Sequence, residues 1–139
     1  LSFAFETRFR AKKSNCDVFT ETFWLKERFM DLAVFPDLMI RCGAPLDRDA
    51  ISLNDPLVLA EVVSPGSQGR DRSEKAELYK RLPSLKHCLM LDRDRAVIDM
   101  IDRIDERSWT SRRVDGRDAA IELSALGLSI PLSELYEED

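Results

Sequence analysis

The run Leu57-Val58-Leu59-Ala60-Glu61-Val62-Val63 constrains the fold more than any other stretch of the chain. Turn residues bound it on both sides, Asn54-Asp55-Pro56 before and Ser64-Pro65-Gly66-Ser67 after, so it reads as a short strand rather than a helix. With the alternation of a strand, Leu57, Leu59, Glu61 and Val63 share one face and Val58, Ala60 and Val62 the other. Apolar side chains on both faces mark a strand covered on both sides, in the interior of a sheet. A helical pattern follows from Asp71 to Leu82, with Leu78 and Leu82 on one stripe and Pro83 ending it. His87 to Leu91 is a second apolar strand. Strand, helix and strand at this spacing form a βαβ unit, with the two strands parallel and joined by a right-handed crossover.

The rest of the chain adds to that unit. Residues 1 to 13 predict a helix whose apolar side is Leu1, Phe5 and Phe9, broken by Ser14-Asn15. Strands are expected from Asp17 to Trp24 and from Leu32 to Cys42. Pro36, which cannot donate to a ladder, marks an edge, a bulge or a strand start in the second. Residues 43 to 56 read as a loop. Asp92-Arg93-Asp94-Arg95 turns the chain into a strand from Ala96 to Ile104, and another runs from Arg107 to Val114. The tail ends in a short helix near Glu134-Leu135-Tyr136. The expectation is one α/β domain with a mixed sheet, since 139 residues suffice for one core but not two.

Composition excludes some classes. No stretch approaches the roughly 18 uninterrupted apolar residues of a membrane span, and no secretory signal pattern is present, so a soluble protein is expected. Cys16, Cys42 and Cys88 are far apart and odd in number, which argues against a disulfide framework or a thiolate zinc site and suits a reducing cytoplasm. A net charge of −5 argues against broad electrostatic adhesion to nucleic acid, so contact with DNA would have to be local. Two basic clusters, at Arg8, Arg10, Lys12 and Lys13 and at Arg70, Arg72, Lys75, Lys80, Arg81 and Lys86, read first as solvated helix faces.

Glu61 is the most informative residue, because a carboxylate in a buried strand costs several kcal/mol unless it is paired or binds a metal. It lies near the C-terminal end of its strand, where ligand sites of parallel sheets gather. Asp37 opens the strand Asp37-Leu38-Met39-Ile40-Arg41-Cys42. Set beside Glu61, it would supply a second hard oxygen of the kind magnesium or manganese takes. Asp71, Lys75 and Tyr79 share one side of the following helix. Lys75 would there either pair with Asp71 at the surface or lean over the acids to orient an attacking water. Tyr79 reads as partial core. His87, the only histidine, begins an apolar strand and reads as structural. Gly66 and Gly69 flank a helix start that could take a phosphate through backbone N–H groups, although such a Pro-Gly segment is more often just a turn. Trp24 and Trp109 fit either core or a stacking surface.

The runs Phe35-Pro36-Asp37-Leu38-Met39-Ile40, Pro56 to Ser67 and Asp71-Arg72-Ser73-Glu74-Lys75-Ala76-Glu77-Leu78-Tyr79, with a strand closing on Asp92, together resemble the Uma-type restriction endonucleases of the PD-(D/E)xK nuclease superfamily. The resemblance covers nearly the whole chain. It implies a restriction-endonuclease-like mixed β-sheet flanked by helices, with Asp37 and Glu61 as the acidic pair that holds magnesium or manganese for hydrolysis of DNA. The superfamily's lysine is expected two residues after the second acid, where this chain has Val63. The Uma-type pattern instead has a lysine in the following helix, and Lys75 matches it. Glu6 is the only acid on the first helix that could match a further superfamily acid. Because the sequence opens on Leu1, the resemblance also implies an additional N-terminal segment.

The expected protein is therefore a cytoplasmic, metal-dependent DNA endonuclease, a homodimer because cutting both strands needs two sites. The competing expectation is a nucleic-acid-binding or regulatory module of the same fold without hydrolysis, which Val63 and the acidic net charge favour.

Overall fold

A computed structural model describes residues 1–27, 32–64 and 70–136, with the side chains of residues 70–72 left aside. Helix α1 (Ser2–Lys12) leads into β1 (Cys16–Thr20), β2 (Trp24–Glu27), β3 (Leu32–Val34), β4 (Leu38–Cys42), β5 (Ser52–Leu53) and β6 (Val58–Val63). Helix α2 (Arg70–Tyr79) follows, then β7 (His87–Asp92), β8 (Val97–Arg103), β9 (Trp109–Asp115), β10 (Ala120–Leu123), β11 (Leu128–Pro131) and α3 (Leu132–Leu135). Six strands form the main sheet in the order β1-β4-β6-β7-β8-β9. Within this sheet β6 and β7 pair in parallel, joined through α2, and the other ladders described are antiparallel. The sheet is mixed and the class α/β, as the βαβ pattern requires.

The alternation read in the run at 57–63 divides the interior in two. Val58 and Ala60 join Leu38, Ile40, Leu89, Leu91, Ile98 and Met100 on one face, covered by Phe5 and Phe9 of α1 and by Ile121, Leu123, Ile130, Leu132 and Leu135. Leu59 and Val63 join Met39, Cys88, Met90 and Ile101 on the other, covered by Ala76 and Tyr79 of α2, by Leu82 and Leu85, and by Leu25, Leu32 and Leu53. The strand pair at the centre is thus covered on both faces. The apolar stripe of α2 differs from expectation: Ala76 and Tyr79 are buried, Leu78 is only half-buried, and Leu82 is buried in the turn after the helix.

Several elements depart from the sequence reading. The strand expected over residues 17–24 is two: a turn at residues 21–23 sends β2 out of the main sheet to pair with β3 and β5. Two residues of the expected loop, Ser52 and Leu53, add to that small sheet because Leu53 buries its side chain beneath it. The β10–β11 hairpin has short strands, and its apolar residues gain a partner only against α1 and the main sheet.

The cysteines need a correction. Cys16 and Cys42 stand directly opposite each other across β1 and β4 and are joined by a disulfide, leaving only Cys88 free. Their separation of 26 residues in sequence concealed a neighbouring register, so the cysteine pattern gives no argument for a reducing compartment. Among the described residues no helix is long and apolar enough to cross a membrane.

Arg103 ties the helix end to the sheet. Its guanidinium donates to the carbonyls of Leu85, Leu82 and Glu106 at 2.6, 2.9 and 2.9 Å and stacks over Trp109 with the guanidinium carbon 4.3 Å from the ring centre. Lysine cannot reproduce that fork. Arg103→Lys is expected to cost about 1–2 kcal/mol, read as a lower urea midpoint with an unchanged slope.

Candidate active site

Asp37 and Glu61 meet at one end of the central ladder. Leu38 pairs with Ala60 in the antiparallel β4–β6 register, so the next rung sets Asp37 opposite Glu61. Pro36 has no N–H to extend the ladder. The Val62 N–H donates to Asp37 Oδ2 instead, at 2.7 Å, which anchors the aspartate where regular pairing ends. Both acids lie on the α2 side of the sheet, Glu61 only 5% exposed.

Helix α2 closes over them. Lys75 and Tyr79, one turn apart, both reach Glu61: the Tyr79 hydroxyl donates to Glu61 Oε1 at 2.7 Å, and Lys75 Nζ stands 3.9 Å from Oε2. Lys75 is 40% exposed, so its ammonium faces both the acid and solvent. The side chain of Asp71, the alternative partner for Lys75, lies outside the described residues, as do Gly66 and Gly69.

The electrostatics follow from this geometry. Burial pushes the Glu61 carboxyl from 4.5 up to about 7; the Tyr79 hydrogen bond and the Lys75 charge pull it down, while the neighbouring Asp37 carboxyl pushes it up. Burial and the charge of Glu61 push the Tyr79 phenol far above its ordinary range, so it is a fixed donor. A buried glutamate facing another carboxylate, with one half-exposed lysine beside it, stays short of positive charge, and such a pair has room for a cation.

The other candidates divide clearly. Val63, at the position of the superfamily lysine, is buried among apolar side chains, so that face offers no ammonium from β6. Glu6 sits beside Phe9, Arg10, Cys16 and Asp17, on the α1 side of the sheet and near the Cys16 end of β1, away from the acids. His87 is structural: its Nδ1 bonds Asp102 at 2.7 Å, and its Nε2 accepts from the Ala125 N–H at 3.2 Å. Asp92 spends its carboxylate on the N–H groups of Asp94 and Arg95, which hold it below the usual carboxyl range. Trp24 stacks on Phe35, and Trp109 packs under Arg103. The row Glu61, Met90, Asp99 continues across the sheet, but Asp99 is two strands away, roughly 10 Å, and is held by Arg113 at 3.1 Å.

Sequence reasoning treated Tyr79 as partial core and missed its bond to Glu61. The four-residue spacing from Lys75 was the available signal, since it places both side chains on one face.

The fold is that of a nuclease-like α/β protein. It resembles the crystal structure of a putative nuclease belonging to DUF820 from Anabaena variabilis, with a TM-score of 0.72 over 96% of this chain and 74% of that one, at 15% identity. Residues 1–133 match the Uma2 family, described as putative restriction endonucleases, and the chain belongs to that family. It is also similar to two uncharacterized proteins of Synechocystis sp. One is 27% identical over 92 residues, covering 65% of this chain and 52% of the relative. The other is 29% identical over 102 residues, covering 73% and 53%. The chain therefore spans about half the length of these curated relatives.

Proposed function

We propose that the protein is a metal-dependent endonuclease that hydrolyses DNA phosphodiester bonds, with Asp37 and Glu61 holding magnesium or manganese. The observation that carries this reading is the buried Glu61 carboxyl set opposite Asp37 with a lysine 3.9 Å away. Family membership supplies the chemistry to which such a group is suited.

The donor set fits the ion. Among the described residues no group of three or more His, Cys, Asp or Glu side chains is arranged around a common point. Two carboxylates suit magnesium, which keeps several of its waters and takes few protein oxygens. A divalent ion held there supplies Lewis acidity toward the phosphate and a water of lowered pKa. The chain's own residues do the rest. Asp37 is anchored by the Val62 N–H, which fixes one carboxylate relative to the other. The Lys75 ammonium, placed between Glu61 and solvent, directs the attacking water and offsets the charge that builds on the phosphate. In this role a lysine from α2 replaces the one absent at Val63. Cutting both strands calls for two such sites, hence a homodimer, measurable by sedimentation.

The direct test is cleavage of duplex DNA with magnesium or manganese and again with excess chelator. No metal-dependent cleavage under either ion would sink the hydrolytic reading. Lys75→Ala is expected to lower the cleavage rate about 100-fold while leaving metal affinity within a few-fold, read by single-turnover cleavage beside calorimetric titration. The buried Val63 favours the second reading, a nucleic-acid-binding or regulatory module without hydrolysis. A protein that binds DNA but neither binds nor uses the metal would be that module.

A further inference from the structure

Among the described residues, the Tyr79 hydroxyl is the polar contact of the acidic pair that a nuclease reading leaves without a task. We propose that Tyr79 is the positioning residue of the cation site, fixing the Glu61 carboxyl so that Oε1 is held within the protein and Oε2 is presented to the ion. This inference rests on the reading of Asp37 and Glu61 as a cation site.

The geometry distinguishes the two oxygens of one carboxyl. Oε1 accepts the Tyr79 hydroxyl at 2.7 Å in a buried contact, while Oε2 is the oxygen near the half-exposed Lys75. Tyr79 is 2% exposed, with its ring packed among the apolar side chains of the α2-facing core. A ring so enclosed cannot swing its hydroxyl to water, so the donor stays where the fold puts it. The Glu61 carboxyl is then restrained at one oxygen by α2 and at its backbone by the ladder to β7. Hydrogen bonds to the outer oxygen of a ligating carboxylate are known to orient it and to raise metal affinity by about 10–100-fold. Helix α2 thus supplies both an ammonium and an orienting hydroxyl, one turn apart, to a glutamate of the preceding strand.

Tyr79→Phe keeps the ring and removes only the hydroxyl, and Tyr79→Met fills the slot if phenylalanine does not fold. The measurement is manganese affinity by calorimetry on the full chain for the parent, Tyr79→Phe and Glu61→Gln, with melting temperatures recorded in the absence of metal. The expected result is manganese binding by the parent, about 10-fold weaker binding by Tyr79→Phe, and no further loss when Tyr79→Phe is added to Glu61→Gln. If the parent and Tyr79→Phe bind equally while Glu61→Gln does not bind, Tyr79 only fills space and the inference is overturned with the cation site intact. If the parent binds no manganese, the cation site itself is wrong, and this inference falls with it.

Discussion

Asp37→Asn and Glu61→Gln are each expected to lower metal-dependent DNA cleavage by about a thousandfold, roughly 4 kcal/mol of transition-state stabilisation, without unfolding the protein. Both replacements keep shape and remove a negative oxygen. Glu61→Gln can still accept the Tyr79 hydroxyl through its amide oxygen, so the buried contact survives. Asn at position 37 likewise retains an oxygen for the Val62 N–H. The loss therefore falls on cation binding rather than on packing. Single-turnover cleavage across a magnesium titration measures it. If both variants cut as fast as the parent at every magnesium concentration, the two acids do not form the catalytic site. Because they would act on one ion, the double variant should be little worse than either single one.

The second large effect is on stability. Glu61 titrates near 7 in the folded protein, against 4.5 as its ordinary value. The folded state therefore binds more protons than the unfolded chain between those two values, and stability falls as pH rises through that window. The contribution is fully present below about pH 4.5 and lost above about pH 7, a swing of about 3 kcal/mol. For the metal-free protein this predicts a melting temperature about 8 °C lower at pH 8 than at pH 5. Asp92 acts in the opposite sense at the acid end, since its carboxyl is held below the usual range and its contribution is lost as pH falls. Glu61→Gln, permanently neutral, should flatten the decline between pH 5 and 8 and melt higher than the parent at pH 8. A Glu61→Gln curve parallel to the parent's would assign the decline to other groups. Excess manganese should also restore stability to the parent at pH 8, because a bound cation compensates the buried charge.

These expectations reflect a division between local and long-range information. The central strand, the βαβ unit and the first helix were legible because their signal is local: burial on two faces writes itself as an apolar run, and a helix stripe as a period near four. The pairing of Asp37 with Glu61 was half legible. Each acid sits at a readable place, Pro36 before one and an apolar run around the other, but the rung on which they meet is a property of the β4–β6 register. The reach of Lys75 was an even choice between Asp71 and the acids, and the packing of α2 set its ammonium 3.9 Å from Glu61.

Where the reading failed, the cause was the same. The Cys16–Cys42 bond depends on β1 and β4 lying side by side, which nothing between residues 16 and 42 announces. The β10–β11 hairpin and the small sheet of β2, β3 and β5 are built from strands of two to four residues, too short to show a period. Their stability comes from the surfaces they cover. By itself the sequence determined that the run at 57–63 is buried on both faces, that a helix follows the acidic strand and where Asp37, Glu61 and Lys75 fall along their elements, since those depend on neighbours along the chain. Only the tertiary structure decided which acids share a rung, which oxygen of Glu61 faces Lys75 and which is held by Tyr79. Those are distances between segments remote in sequence, and register and packing alone set them.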